Sequence, residues 1–487
     1  MKVQEILKIT KGKLLSGDST AEIDLATILT DSRNIKTGEF FLPLKGNNFD
    51  GEEFIGEAFK KGAVGAFTIR QGARAQACLP RTISAQGLPA RLSASASASQ
   101  GRDGKPRAGV GQEKIIIQVK NTTKALQEIA HEHRIRFDIP VIGVTGSNGK
   151  TTVKDMTAKV LSSKYKVLKN EGTKNNHIGL PQTLLKLKKY HEICILEMGT
   201  NHKGEIRSLA DIARPNIAVI TNIGPSHLEF LKDLKGIFES KKEIFEFLDE
   251  DSLVILNGDD KYLSKIKNNK FKIMRFGFNK VNDFRASIVS TEKDKIVFLL
   301  NNKSPFVLNL AGIHNIYNAL AAIAVARHFE LDYDSIKKGL AECVPAYMRL
   351  NIKNIDGVVV IDDAYNSNPL SMRAALETIK SYPAKSRWIV SADMLELGEK
   401  ENYFHRGVGE AVVRGGFDGL VTFGKLSQQT SSAALKSGMA KDRIWHCSNH
   451  EEIAAVLRKV AKAGDVVLIK GSRTMKMEKV LEILKDK

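Results

Sequence analysis

The feature that most constrains this chain is the decapeptide Gly143-Val-Thr-Gly-Ser-Asn-Gly-Lys-Thr-Thr152. Residues 141–144 before it form a short apolar run, as a buried strand does, and residues 151–163 after it have helical spacing. A strand that feeds a Gly-rich turn and then opens a helix leaves backbone N–H groups without internal partners, facing an anion. Gly146, Ser147, Asn148 and Gly149 supply the turn. Lys150 can reach terminal phosphates, and the hydroxyl of Thr151 or Thr152 can hold Mg²⁺. The strict GxxxxGK[ST] pattern fails, because Val144 stands where its first Gly belongs. An ordinary Gly turn is the alternative. The adjoining Lys-Thr-Thr and the strand–turn–helix context count against it.

The rest of the chain has the matching alternation. Strand-like runs recur at 193–197, 217–221 and 253–256 with helical runs between them, which indicates βαβ units and a mostly parallel sheet. A second alternating block begins near residue 350, with strand-like runs at 357–361, 387–391, 419–423 and 465–469, and reads as a smaller doubly wound domain. Residues 1–69 read as a small α/β unit with strands at 23–30, in FLPLKG and in GAVGAF, followed by a strand at 114–119 and a helix over 123–136. The fold class is α/β in three domains, 1–137, 138–347 and 348–487, consistent with 487 residues at roughly 150 per domain. Residues 70–113 differ in kind: they hold seven Lys/Arg, two Asp/Glu, a Ser-Ala repeat and no aromatic residue, and read as a flexible insertion that cannot bury a core.

Composition excludes several classes. With 42% hydrophobic and 26% charged residues the chain is neither disordered nor disulfide-dense. Its four cysteines are more than 100 residues apart and form no CxxC pair, so a reducing compartment without a zinc knuckle is expected. No apolar run approaches the ~18–20 residues of a membrane span, and the charged start MKVQEILKITKGK is unlike a signal peptide. A cytoplasmic location without a membrane span follows as the expectation. The net charge of +19 calls for an anionic partner. Nucleic acid is one candidate, but no RNA- or DNA-binding motif supports it, and none is expected as a partner. His131 and His133 are two apart on a helix, do not face each other, and read as surface residues.

Three further segments narrow the chemistry. Glu197 ends the strand of ICILEMG, at the edge where ligands bind in open α/β sheets. His227 follows another strand in NIGPSH, and Lys241 and Lys242 lie in the helical pattern of SKKEIF. Each alone admits an ordinary role: Glu197 as a helix-dipole partner, His227 as a loop residue, Lys241 on a solvated helix face. Asn315 and Asn318 are three apart on an Ala-rich helical run and share a face. Asp362 and Asp363 end a strand in DDAYNSNP, where two carboxylates suit ribose or amine contacts; a capping Asp and turn Asn before Pro are the alternative.

Together with the phosphate loop, TGSNGKTT, ILEMGTNHKGEI, TNIGPSHLE, SKKEIF, GIHNIYNALAA, DDAYNSNP and IKGSR resemble the Mur ligase family, ATP-dependent enzymes that build the bacterial wall peptide one amide bond at a time. The resemblance spans nearly the whole chain outside 70–113. LKGNNFDGEEFI, KNNHIGLPQTLL and MGTNHKGEI are similar to the members that join D-alanyl-D-alanine to UDP-N-acetylmuramoyl-tripeptide. The resemblance implies an acyl-phosphate mechanism with ATP and Mg²⁺, two ions of it. It implies Thr151, Glu197, His227 and Lys241 as metal ligands, with Lys241 carbamylated and Lys242 as the neighbouring alternative. It implies Lys150, Asn315, Asn318, Arg349 and Asp363 on the nucleotide, with Arg349 reaching over from the third domain. Met348 stands where the family usually has Gly, and Ser391-Ala-Asp393-Met has Ala where Gly usually precedes Asp, which leaves Asp393 without a role. The uridine end of the substrate falls to Ser32, Arg33, Lys45 and Gly46, and the remaining substrate contacts to Asn175, Asn176, Tyr365, Asn366 and Asn368. A monomer is expected. The rivals are a Mur-type ligase adding a single amino acid and a folylpolyglutamate-synthase-like ligase.

The insertion generates a first prediction. Loop-closure cost grows only slowly with length, so replacing 70–113 with a short Gly/Ser link is expected to leave the thermal midpoint and turnover nearly unchanged. A large fall in the midpoint would show a packed element instead.

Overall fold

The computed structural model describes residues 1–46, 49–71, 113–267 and 269–486. The expectation for 70–113 therefore lies outside the described residues, apart from Arg70, Gln71 and Glu113. Two compact units are formed: one from Met1–Phe137 with Pro181–Lys188, the other from Asp138–Leu180 with Lys189–Lys487.

In the first unit, strands β1 (Lys13–Ser16), β2 (Ile28–Leu29), β3 (Phe40–Phe41), β4 (Gly65–Thr68) and β5 (Ile115–Gln118) make one sheet in the order β1-β5-β4-β3-β2. Only β1 is antiparallel to its neighbour. Ile35, Phe41, Ile55, Ala58 and Ile116 pack in its core. The strand expected over 23–30 shrinks to two residues, because the Asp24 carboxylate accepts from the Ala26 N–H and caps a 3₁₀ turn over Leu25–Thr27. The helix expected over 123–136 runs over Thr122–Arg134, with Asn121 as its cap. His133 is not a free surface residue: its Nε2 lies 3.1 Å from the Leu187 carbonyl, its ring packs edge-on against Phe137, and burial holds its pKa below the ordinary value.

The second unit holds two sheets. The larger runs β14-β13-β12-β11-β10-β9-β6-β8-β7, with β6 Val141–Thr145, β7 Val167–Lys169, β8 Ile193–Glu197, β9 Ile217–Ile220, β10 Leu253–Asn257, β11 Lys272–Gly277, β12 Phe284–Glu292, β13 Lys295–Leu300 and β14 Ser304–Leu308. It is parallel from β7 to β12 and ends in an antiparallel ribbon, β12-β13-β14. The helix His314–His328 crosses its core. Ala319, Ala321, Ala322, Ala324 and Ala326 are all fully buried, so the backbone of this helix approaches its neighbours closely. The smaller sheet runs β15-β16-β20-β17-β18-β19, with β15 Asn351–Ile355, β16 Val358–Asp363, β17 Arg387–Ala392, β18 Gly419–Phe423, β19 Ile444–Cys447 and β20 Val466–Lys470. Only β15 is antiparallel. Among the described residues no helix is long and apolar enough to cross a membrane.

The two sheets are joined through residues 344–350, where Met348 and Leu350 have φ of +57° and +50°. Both are left-handed conformations that favour Gly. Met348 nevertheless buries its side chain in the core of the smaller sheet, at 1% exposure. The packing of a long apolar side chain offsets the backbone strain that Gly would avoid.

The Ala-rich helix yields a stability prediction. Ala322 is fully buried, so Ala322→Leu is expected to destabilise the second unit by about 1–3 kcal/mol through overpacking. A lowered thermal midpoint in calorimetry would register it, and an unchanged midpoint would show that the neighbouring elements can part.

Candidate active site

At the end of β6 the chain turns through residues 146–149 into the helix Lys150–Leu161. Gly149 has φ +83°, and a Cβ there would stand 2.4 Å from the Asn318 amide oxygen. Gly146 has φ +141°, and its Cβ would meet the Thr221 hydroxyl at 2.0 Å. Both positions therefore need Gly twice over, for backbone conformation and for space. The loop is held from below by the end of β9. The Asn148 N–H donates to Asn222 Oδ1 (3.0 Å), Asn222 Nδ2 donates to the Asn148 carbonyl (3.1 Å), and the Ser147 hydroxyl donates to the Gly224 carbonyl (2.8 Å). No side chain caps the helix that follows, so its first N–H groups remain available to an anion.

This loop lines a cleft of about 1200 Å³. The cleft gathers residues far apart in the chain. Ser147, Asn148, Gly149, Lys150, Thr152, Asn175, Asn176, Glu197, His227, Asn315, Asn318, Arg349, Asp363, Tyr365, Asn366 and Asn368 all line it. Gly146, Thr151 and Lys241 do not line it, but the Gly146 carbonyl accepts from Lys150, the Thr151 hydroxyl is near Arg349, and Lys241 lies within reach of the Lys150 charge. Arg349 Nη2 is 3.4 Å from the Thr151 hydroxyl, and its guanidinium lies 4.4 Å above the Tyr365 ring. Asn148 and Asn368 exchange side-chain amide hydrogen bonds (3.2 and 2.9 Å), tying the phosphate-loop segment to the start of the helix Pro369–Lys380.

Charge in the cleft is arranged around Glu197. Its side chain is 1% exposed, Oε1 accepts from Asn175 Nδ2 (2.6 Å), and Oε2 has no hydrogen-bond partner among the described residues. The Lys154 ammonium lies 4.0 Å from Oε2 and itself donates to the carbonyls of Asn170 and Gly172. A buried carboxylate oxygen left without a donor, on a wall of a wide cleft, fits a hard cation. His227 lines the same cleft, and its Nδ1 pairs with Glu396, whose carboxyl that hydrogen bond holds below the usual range. Lys150 folds back onto the carbonyls of Gly146 (2.8 Å) and Ser147 (3.2 Å); burial pushes its ammonium down to about 8, against the pull of Glu197. Such a lysine is poised to turn toward an incoming phosphate.

The two neighbouring lysines separate cleanly. Lys242 is exposed and pairs with Glu239 (3.0 Å). Lys241 is 1% exposed and makes no hydrogen bond or ion pair among the described residues. Burial, then the Lys150 charge, pushes its pKa well below the ordinary value. The solvated-face alternative for Lys241 is thus excluded, and the face shared by Asn315 and Asn318 is not solvated either. Those two are buried and bonded to each other (2.9 Å).

At the strand end of DDAYNSNP the two carboxylates part. Asp362 is buried against Lys353 (2.7 Å) within the smaller sheet, whereas Asp363 faces the cleft and pairs with Lys470. Lys470 also donates to the Asn366 carbonyl (2.9 Å). Asp393 accepts from the Leu426 (3.2 Å) and Ser427 (2.7 Å) N–H groups, so it holds the turn that precedes the helix Gln428–Lys436. Lys470 and Glu396 line the cleft but are absent from the residues singled out in the sequence. Lys470 had a signal, because it belongs to the IKGSR segment. Glu396 had none, since only the fold brings it to His227.

In the first unit, Ser32 and Arg33 lie in the 3₁₀ turn Ser32–Asn34. Asp31 caps that turn and binds the Arg33 guanidinium through both oxygens (2.9 and 2.8 Å). The backbones of Lys45 and Asp50 pair in an isolated antiparallel β-bridge, and a Cβ on Gly46 would meet the Phe49 ring.

Comparison with known proteins agrees with this arrangement along the whole chain. Family descriptions match in three consecutive stretches: "Mur ligase family, catalytic domain" at 24–134, "Mur ligase middle domain" at 144–326, and "Mur ligase, glutamate ligase domain" at 348–473. The chain is 35% identical to the UDP-N-acetylmuramoyl-tripeptide–D-alanyl-D-alanine ligase of Bacillus subtilis, over 99% of this chain and 97% of that protein. Its fold is similar to the crystal structure of MurF from Acinetobacter baumannii, with a TM-score of 0.83, 28% identity and coverage of 100% and 99%. It is also similar to the MurF ligase of Thermotoga maritima in complex with ADP, with a TM-score of 0.76, 28% identity and coverage of 96% and 99%. A cleft built on a Gly-rich phosphate loop, reached by an arginine from the third domain and matched over three domains in order, places this chain in the Mur ligase family.

Proposed function

We propose that this protein joins D-alanyl-D-alanine to UDP-N-acetylmuramoyl-tripeptide, converting ATP to ADP and phosphate, in the synthesis of the bacterial wall precursor. The observation that carries this is the full-length likeness to ligases named for that reaction, together with a single cleft that holds the phosphate loop, Glu197, His227, Arg349 and the DDAYNSNP turn. A carboxylate will not react with an amine at neutral pH, because its oxygen is a poor leaving group. Transfer of the terminal phosphoryl group to the tripeptide carboxylate makes an acyl phosphate and releases ADP. The dipeptide amine then attacks the acyl carbon, the C–O bond to phosphate breaks, and the amine proton leaves.

The chain's own residues have defined parts in this. The uncapped first N–H groups of the helix Lys150–Leu161 and the Lys150 ammonium hold the triphosphate, and Arg349 brings a second positive charge from the start of the third domain. Thr151, Glu197, His227 and a carbamylated Lys241 would hold Mg²⁺, two ions in all; when bound, the metal draws the two anions together and stabilises charge on the transferring phosphoryl group. The uncoordinated Glu197 Oε2 and the buried, unpaired Lys241 amine support those assignments. A carbamate forms on a neutral amine with CO₂ and would replace a cation with an anion at the metal. Asn315, Asn318 and Asp363 would contact the nucleotide, and Asn175, Asn176, Tyr365, Asn366 and Asn368, which line the same cleft, the peptide substrates. Residues 1–137, with Ser32, Arg33, Lys45 and Gly46, take the uridine end.

The deciding experiment is ADP release with the uridine-linked tripeptide, with and without D-alanyl-D-alanine, and the mass of the product. Equal release with L-glutamate or diaminopimelate in place of the dipeptide would favour a single-residue ligase instead. Two further outcomes are expected. Lys150 titrates near 8 in the free protein, and an anion beside it raises that value; nucleotide binding should therefore take up a proton near pH 8 and weaken as the pH rises above it. Calorimetry in buffers of different ionisation enthalpy reads this, and Lys150→Met should abolish the uptake. Lys241→Ala should lose most activity and regain some with a small carboxylic acid in excess, whereas Lys242→Ala should stay near normal. The reverse pattern would move the modified residue by one.

A further inference from the structure

His227 precedes the short helix Leu228–Leu231 in a left-handed conformation, with φ +54°. Its Nδ1 lies 2.5 Å from the Oε2 of Glu396, a residue of the third domain 169 positions away. A carboxylate can only accept, so the proton of this bond sits on Nδ1. Glu396 is also left-handed, with φ +61°. Its backbone carbonyl accepts from the Glu229 N–H (3.1 Å), and two residues later a Cβ on Gly398 would stand 3.2 Å from Glu229 Cα. Residues 395–398 are therefore seated on residues 227–229 by a side-chain bond, a backbone bond and a close approach. Two strained residues meet at this contact, and each is held there by the other's segment.

We infer that Glu396 is a positioning residue for His227: it accepts the hydrogen bond of Nδ1–H, fixes the ring, and leaves Nε2 as the atom free to ligate the metal. Metal-binding imidazoles commonly need such a carboxylate on the second nitrogen, which sets the tautomer and raises ligand basicity. The consequence is specific to this fold. The second domain supplies the ligand, but the third domain supplies the group that orients it, so the metal site is complete only when the third domain is docked. This rests on the reading of His227 as a metal ligand.

The test measures Mn²⁺ affinity by electron paramagnetic resonance in the presence of ADP, with the whole chain and without turnover. Glu396→Ala should weaken Mn²⁺ binding roughly tenfold or more, and Glu396→Gln, whose amide oxygen still accepts from Nδ1, should weaken it less. His227→Ala should weaken it at least as far, and the double variant no further than His227→Ala alone. Wild-type Mn²⁺ affinity in Glu396→Ala, with a loss in His227→Ala, overturns the positioning role. So does a loss in Glu396→Ala that follows a lowered thermal midpoint and is shared equally by Glu396→Gln, which would make it a packing residue. Wild-type affinity in His227→Ala overturns the metal-ligand reading itself, and the inference with it.

Discussion

The Asn318 amide stands 2.4 Å from where Gly149 would carry a side chain. That approach couples the phosphate loop to the deeply buried, Ala-rich helix His314–His328. The loop is thus pinned on two sides, by this helix and by the β9 end through Asn222 and Gly224. Rigidity here is what makes an anion site out of backbone groups, because N–H dipoles stabilise charge only if they need not reorganise to meet it. Everything else in the cleft is positioned against that fixed loop. Thr151 and Lys150 start its helix, Glu197 ends the adjacent strand β8, and Asn148 holds the turn that carries Asn368.

A ligase of this kind must bring two anions together. Two unit charges 4 Å apart repel by about 4 kcal/mol near a protein surface. The cations that line the cleft come from separate elements: Lys150 from the loop, Arg349 from the start of the third domain, and Lys470 from the end of β20, the last already paired with Asp363. Arg349 lies between two left-handed residues, Met348 and Leu350, and is held over Tyr365. Strain is concentrated in the segment that joins the two sheets and carries Arg349. Such strain persists only where packing enforces it, and the buried Met348 side chain supplies that packing.

How far the fold and the site are legible in the sequence depends on whether the signal is local. The strands at 193–197 and 419–423 lie where their apolar runs predict, because fully buried parallel strands are short continuous apolar segments. In the antiparallel ribbon β12-β13-β14 the signal is uneven: β13 carries the apolar run Ile296–Leu300, whereas β12 is mostly partly or fully exposed and mixes Arg, Ser, Thr and Glu with its apolar residues. Over 23–30 the sequence promises more strand than forms, because a capping Asp outweighs the β-branched residues. In the site, the segments with a chemical signature, such as TGSNGKTT and DDAYNSNP, are the ones that converge on the cleft. The long-range pairings, such as Glu396 with His227 and Asp363 with Lys470, are not legible. A single sequence carries no trace of a contact between residues more than 100 apart.

Lys154, Lys241 and Lys470 are almost wholly buried in the second unit, and they are treated differently. Lys154 donates to two carbonyls and has Asp155 and Glu197 within reach, and Lys470 has Asp363 and the Asn366 carbonyl. These are the partners that an ammonium taken out of water needs, since an uncompensated buried charge costs several kcal/mol. Lys241 has none among the described residues. The carboxylate of Glu243, which would serve, is engaged instead with the Gly204 (2.7 Å) and Arg207 (3.1 Å) N–H groups. A fold that provides for two buried ammonium groups and withholds partners from a third is not built to keep a cation at that third position. Burial and the Lys150 charge disfavour an ammonium there, and the Glu243 and Glu205 carboxylates oppose them only in part. The same two carboxylates would repel an anion as Lys150 would attract it, so the surroundings by themselves favour a neutral amine at Lys241.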